Sequence, residues 1–241
     1  MTATTLARRL FALRWTVLPP AVGVSMLALL VGALVAAPRE AVEGDVQRLF
    51  YIHLPSILAA YLAFGVVFVA SVIVLWRRDL RWDAVARGAA MVGVLFTGLT
   101  LATGMLWGKP VWGVYWTWDA RLTSTLVLFL IYAAYLLARS VADQLDEQAA
   151  RYAAVFAIIG VLDIPLISMS VRWWRTLHPQ PIVLRGMERP ALPGEMLLVL
   201  LIAFIGIMLL ALWLLILRSE TERLAQRTAG LRAAVDRHEG A

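Results

Sequence analysis

The chain has 241 residues, of which 61% are hydrophobic and 16% charged. A soluble domain carries about 25% charged residues, so this composition excludes an ordinary water-soluble core and makes the bilayer the solvent. The net charge of +6 marks the cytoplasmic loops of a membrane protein rather than a nucleic-acid surface, and the lack of cysteine excludes disulfides, thiolate metal sites and thioether attachment of a prosthetic group.

Six apolar segments follow in order, at residues 17–37, 56–76, 85–107, 122–139, 152–173 and 195–217. Each is close to the roughly 20 residues that a helix needs to cross the hydrocarbon. Helix is the required form, because lipid offers the backbone no hydrogen-bond partner. The chain therefore reads as an all-α integral membrane protein, a single membrane domain over residues 1–241. Arg8, Arg9 and Arg14 precede the first segment and "VAAP" ends it, as in a signal peptide. Its apolar core exceeds the roughly 7–15 residues of a signal core, so it reads as an uncleaved span.

"YIHLPS" leads into the second span and carries His53. A Trp-rich connection, residues 107–121, separates the third and fourth spans. Its Gly108, Pro110 and Gly113 are expected to break a helical run. If residues 112–119 coil, Trp112, Trp116 and Asp119 share one face by spacing. Asp119 directly precedes the fourth span and is a natural N-cap. The fifth span holds Asp163 in "GVLDIPLIS". An acid at that depth is costly and suggests function. The local alternative is a protonated Asp163 donating to a carbonyl that Pro165 leaves unpaired. The fifth connection carries His178 in "TLHPQP", with Arg172, Arg175, Arg185 and Arg189. The tail, residues 218–241, reads as a helix continuing the sixth span. Leu224, Leu231 and Val235 give it a narrow apolar stripe suited to a partner or to the membrane surface.

Counting Lys and Arg sets the orientation. Fourteen of the 22 fall on the side that holds both termini, and eight on the other. Both termini are therefore expected in the cytoplasm, and the first, third and fifth connections outside. His53, His178 and the Trp-rich connection then share one outer face, while His238 lies on the other. Trp is enriched at both membrane interfaces. A belt would spread the ten Trp over all the helix ends, whereas Trp107, Trp112, Trp116 and Trp118 crowd one connection and Trp173 and Trp174 end the fifth span. An aromatic platform for a flat apolar ligand explains that crowding better.

Two imidazoles without thiolates or a carboxylate cluster fit a porphyrin iron better than a protein-only zinc site, which wants three or four protein ligands. Each His alone reads equally as an interfacial residue bonded to backbone or headgroup. Arg121 suits a pairing with Asp119 or an anion. The four Arg of the fifth connection suit haem propionates, an acidic partner protein, or plain solvation. No Ser-His-Asp set, phosphate loop or carboxylate pair stands out, so the expectation is a binding protein and not an enzyme. A solute permease and a haem-b electron carrier are the competing classes; the second usually ligates haem within the spans.

"WGKPVWGVYWTWDARLTS" resembles the tryptophan-rich signature of the WWD-motif haem-handling family. "RLFYIHLPS" before the second span and "SVRWWRTLHPQP" after the fifth resemble the surroundings of that family's two haem-ligating histidines. Length and span number point to the small member, the CcmC subunit of the bacterial cytochrome c maturation system. The resemblance covers nearly the whole chain. It implies that His53 and His178 are axial ligands of a haem, b-type, non-covalent and transient, at the outer face of the bacterial inner membrane. It also implies that Trp112, Tyr115, Trp116, Trp118 and Asp119 belong to the haem-presenting surface. The implied partners are a periplasmic haem chaperone, ATP-binding-cassette transporter subunits and a small membrane helper. Tyr115 stands where the family often has Trp, and Asp163 is unusual at its position.

Overall fold

The computed structural model describes residues 3–178 and 192–239. Helix α1 (Ala3–Val31) runs into a π-helical turn (Gly32–Ala36), and a 3₁₀ turn (Asp45–Leu49) leads into α2 (Phe50–Arg77). Then come α3 (Leu80–Trp112), α4 (Ala120–Val141), α5 (Glu147–Val161), α6 (Asp163–Trp173) and α7 (Gly194–Glu239). Among the described residues, six stretches are long and apolar enough to cross a membrane, with α5 and α6 together forming the fifth. The all-helical, six-span reading of the sequence holds.

Helix starts follow their caps. Asp79, Asp119 and Asp146 stand at the N-caps of α3, α4 and α5, each accepting backbone N–H bonds from the first turn. The third helix departs from expectation. It does not break at Gly108 or Pro110 but continues to Trp112. Pro110 removes only one N–H, close to the helix end where little follows. The stop is Gly113, whose φ of +80° is the left-handed conformation that glycine adopts freely, and its N–H closes on the Lys109 carbonyl at 3.0 Å. Residues 113–119 do not coil, so Trp112, Trp116 and Asp119 share no helical face.

The fifth span is not one helix either. It breaks at Leu162, one turn ahead of Pro165, because proline cannot donate to the carbonyl four residues back. Asp163 opens α6, and its Oδ2 is buried without a hydrogen-bond partner among the described residues.

The bundle packs through small residues that let helices approach, as membrane helices do. A Cβ on Gly93 of α3 would come within 2.3 Å of the Phe64 ring of α2. Phe64 in turn stacks on Tyr132 of α4 at 3.9 Å, and the Tyr132 hydroxyl donates to the Ala157 carbonyl at 2.8 Å. At the end of the bundle where α3 begins, polar groups replace this apolar packing. Arg139 donates to Asp83 at 2.7 Å with both side chains almost wholly buried, and Arg87 pairs with Glu222 at 3.0 Å. Gln226 donates to the Leu80 carbonyl at 2.9 Å. Ser219, Glu222 and Gln226 thus turn inward and fasten the tail of α7 to α3, while Leu224, Leu231 and Val235 face outward.

Candidate functional site

The other end of α3 carries the residues of interest. His53 sits in the first turn of α2, inside the helix rather than in the connection before it. Its Nδ1 lies 3.1 Å from the Thr103 hydroxyl oxygen on α3. One turn further along α3, Trp107 meets the His53 ring edge-on at 5.8 Å. Phe50 packs on the same indole, and Trp107 Nε1 donates to Glu43 Oε2 at 2.9 Å. Gly104 leaves the space for the imidazole: a Cβ there would stand 3.1 Å from His53 Cε1. The connection that supplies Glu43 is itself a tight turn. Backbone N–H groups of Glu43 and Val42 donate to the Glu40 carboxylate and hold its pKa below the ordinary carboxylate range.

His178, 125 positions further along the chain, comes to the same place. Its ring centre lies 6.4 Å from that of His53, with the planes 33° apart. Two imidazoles that bind one metal from opposite sides, each through a bond of about 2 Å, bring their ring centres to about 6 Å. The pair therefore has the spacing that a shared metal requires. Among the described residues no group of three or more His, Cys, Asp or Glu could hold an ion alone.

Two other predicted residues join the pair. Trp112 approaches His178 at 6.4 Å between ring centres, and Arg121 Nη1 lies 3.2 Å from His178 Nδ1. Arg121 also donates to the Ser168 carbonyl at 3.4 Å, and its buried Nε has no partner among the described residues. Asp119 positions it. One carboxylate oxygen caps the N–H groups of Arg121 and Leu122, and the other accepts from the Thr117 hydroxyl at 2.8 Å.

The remaining predicted residues stand apart from the two imidazoles. Trp116 packs edge-on against Trp118, and its buried Nε1 has no acceptor among the described residues. Trp118 is 78% exposed and Tyr115 is 57% exposed, the latter beneath the Lys109 ammonium. Arg172 and Arg175 are exposed at the end of α6. Arg185 and Arg189 lie outside the described residues. Sequence reasoning missed Thr103, Gly104 and the role of Trp107. The available signal was "FTGLTLATGMLW": Thr97, Thr100 and Thr103 recur every three residues along one side of α3, and Trp107 follows Thr103 at the i+4 spacing.

The profile of the family described as heme exporter protein C matches residues 2–234. A protein named heme exporter protein C from Bradyrhizobium diazoefficiens is 38% identical over 227 residues, covering 92% of this chain and 85% of the relative. A protein of the same name from Haemophilus influenzae is 34% identical over 197 residues, covering 82% and 79%. A putative cytochrome c biosynthesis ccmC-like mitochondrial protein of Marchantia polymorpha is 40% identical over 142 residues, 59% of each chain.

Proposed function

The chain belongs to the heme exporter protein C family, and from that membership we propose that it holds haem between His53 and His178 and presents it to a periplasmic haem chaperone for the maturation of c-type cytochromes. The carrying observation is the pair of imidazoles at 6.4 Å, brought together from α2 and from the segment after α6. Haem is cargo here. Without cysteine it is held non-covalently, as a b-type haem, and its release requires that both axial bonds open, with no thioether bond to break.

The other residues follow from the shape and charge of that cargo. Trp112, Tyr115, Trp116 and Trp118 offer flat apolar surface to the porphyrin. Arg121, whose buried Nε lacks an acceptor among the described residues, is suited to a propionate, and exposed Arg172 and Arg175 extend the basic edge; Arg185, outside the described residues, is proposed for the same role on its charge alone. Asp119 sets the first turn of α4 so that Arg121 reaches the site. The protein carries and positions; it makes and breaks no bond within the cargo, and it works as a single membrane domain. By the distribution of basic residues, the site faces the periplasm and both termini the cytoplasm of a bacterial inner membrane. The family name supports association with other components of a haem-export system, and the partners proposed among them are ATP-binding-cassette transporter subunits and a small membrane helper.

Titration of the purified protein in detergent with ferric haem tests this reading. The expected result is a saturable Soret band of low-spin, six-coordinate form. His53→Ala and His178→Ala should each weaken binding at least about 10-fold. An unchanged band in both variants would refute ligation.

A further inference from the structure

The two histidines are held by different kinds of partner, and the difference places their protons. A threonine hydroxyl carries one proton and two lone pairs. The Thr103 hydroxyl lies 2.8 Å from the Leu99 carbonyl and 3.2 Å from the Thr100 carbonyl, both on its own helix. Carbonyls only accept, so the hydroxyl proton is spent on α3. The contact of 3.1 Å between Thr103 Oγ1 and His53 Nδ1 is then made by an imidazole N–H that donates. A neutral imidazole has a single N–H. With that proton on Nδ1, the lone pair of His53 is on Nε2, the nitrogen that would bind a metal.

His178 is arranged the opposite way. A guanidinium has five donors and no acceptor. Arg121 Nη1, at 3.2 Å from His178 Nδ1, therefore donates and Nδ1 accepts. In the neutral ring the proton then sits on Nε2, and neither nitrogen offers iron a lone pair while Arg121 stays in place. For His178 to coordinate through Nε2, its proton must move to Nδ1. That shift removes the acceptor which holds Arg121, with no net gain or loss of a proton, and the guanidinium becomes available to a carboxylate of the cargo.

We propose that Thr103 is a positioning residue which presets Nε2 of His53 as the first iron ligand, and that Arg121 latches His178 in the opposite tautomer, so that the second axial bond forms only when Arg121 is drawn away. This deepens the function proposed above and rests on it. It predicts unequal histidines: one that captures haem, and one that closes on haem already captured.

The chain has only three histidines, so ¹⁵N-histidine labelling is close to site-specific. Long-range ¹H–¹⁵N spectra of the haem-free protein in detergent should show the Nδ1–H tautomer for His53 and the Nε2–H tautomer for His178, assigned with the two Ala variants. Thr103→Val keeps the shape and removes the acceptor. It should convert part of the His53 signal to Nε2–H and lower ferric-haem affinity about 10- to 100-fold, as loss of a partner to a ligating His does. Thr103→Ser should restore both. His178→Ala should still take up haem, without the six-coordinate low-spin signature, whereas His53→Ala should take up little. The same tautomer in both rings, or Thr103→Val matching the unsubstituted protein in spectrum and affinity, overturns the proposal. If instead both Ala variants bind haem normally, the ligand assignment fails, and the NMR result still reports separately on the two tautomers.

Discussion

Replacing Gly104 by alanine adds one methyl group at the most sensitive point of the site. The new Cβ would stand 3.1 Å from His53 Cε1, inside the 3.4 Å at which ordinary contact begins, and 3.6 Å from Nδ1, within ordinary contact. The ring must retreat by a few tenths of an ångström, and its Nδ1 is already tied to Thr103 at 3.1 Å. Binding constellations tolerate about 0.5 Å before they fail. A shift approaching that limit should weaken haem binding about 10-fold, which is about 1.4 kcal/mol. Stability should scarcely fall, because alanine gains about 1 kcal/mol over glycine in a helix interior and offsets the crowding. Gly65, in α2, is the control, since a Cβ there would meet nothing within 4 Å. Haem titration followed by Soret absorbance, with thermal unfolding by circular dichroism in the same detergent, separates the two effects. Unaltered haem affinity in Gly104→Ala would refute the argument that this glycine seats the imidazole; a loss in Gly65→Ala as well would show that the effect is not local.

At the opposite end of the bundle, Asp83→Asn leaves the buried Arg139 without its charge partner and should cost about 3–5 kcal/mol, read as a lower unfolding temperature; a melt like that of the unsubstituted protein would mean that the pair carries no weight. Gly88→Ala would drive a Cβ to 2.7 Å from the Ser219 backbone nitrogen, which has no soft side chain to yield, so α7 must shift at a cost of about 1–3 kcal/mol. Increased protease sensitivity of the α7 tail would report that shift, and an intact tail would contradict it. Asp119→Ala removes the cap of α4 and should cost about 1 kcal/mol, while Asp119→Asn keeps most of it; equal unfolding temperatures for the two would exclude capping as the source.

Much of the fold is legible because the bilayer allows so few solutions. An apolar run of about 20 residues must be helical and must cross, so six runs gave six spans. The caps at Asp119 and Gly113 follow the same local chemistry that the letters suggest. What misled was the weight given to Pro110 and Gly108 as breakers: near a helix end their cost is small, and α3 continues to Trp112. The break at Leu162 was signalled by Pro165, yet a hydrophobic run looks continuous whether or not its hydrogen bonds are. Within the site, parity of the spans was enough to place His53 and His178 at one end. It could not give Thr103, Gly104 or the Arg121 contact, because those depend on the rotation of α2 and α4 about their own axes. That rotation is set by fits such as Phe64 over Gly93, which no residue count reveals. The inward face of the α7 tail was hidden for a related reason: its polar residues, not its leucines, make the contacts.

The claim at the centre is that two imidazoles from distant segments share one iron. Electron paramagnetic resonance of the ferric-haem complex, prepared with ¹⁵N-labelled histidine, tests it most directly. The account predicts a low-spin signal with hyperfine coupling to two imidazole nitrogens, lost with either His53→Ala or His178→Ala. A spectrum coupled to one labelled nitrogen or to none in the unsubstituted protein would contradict it.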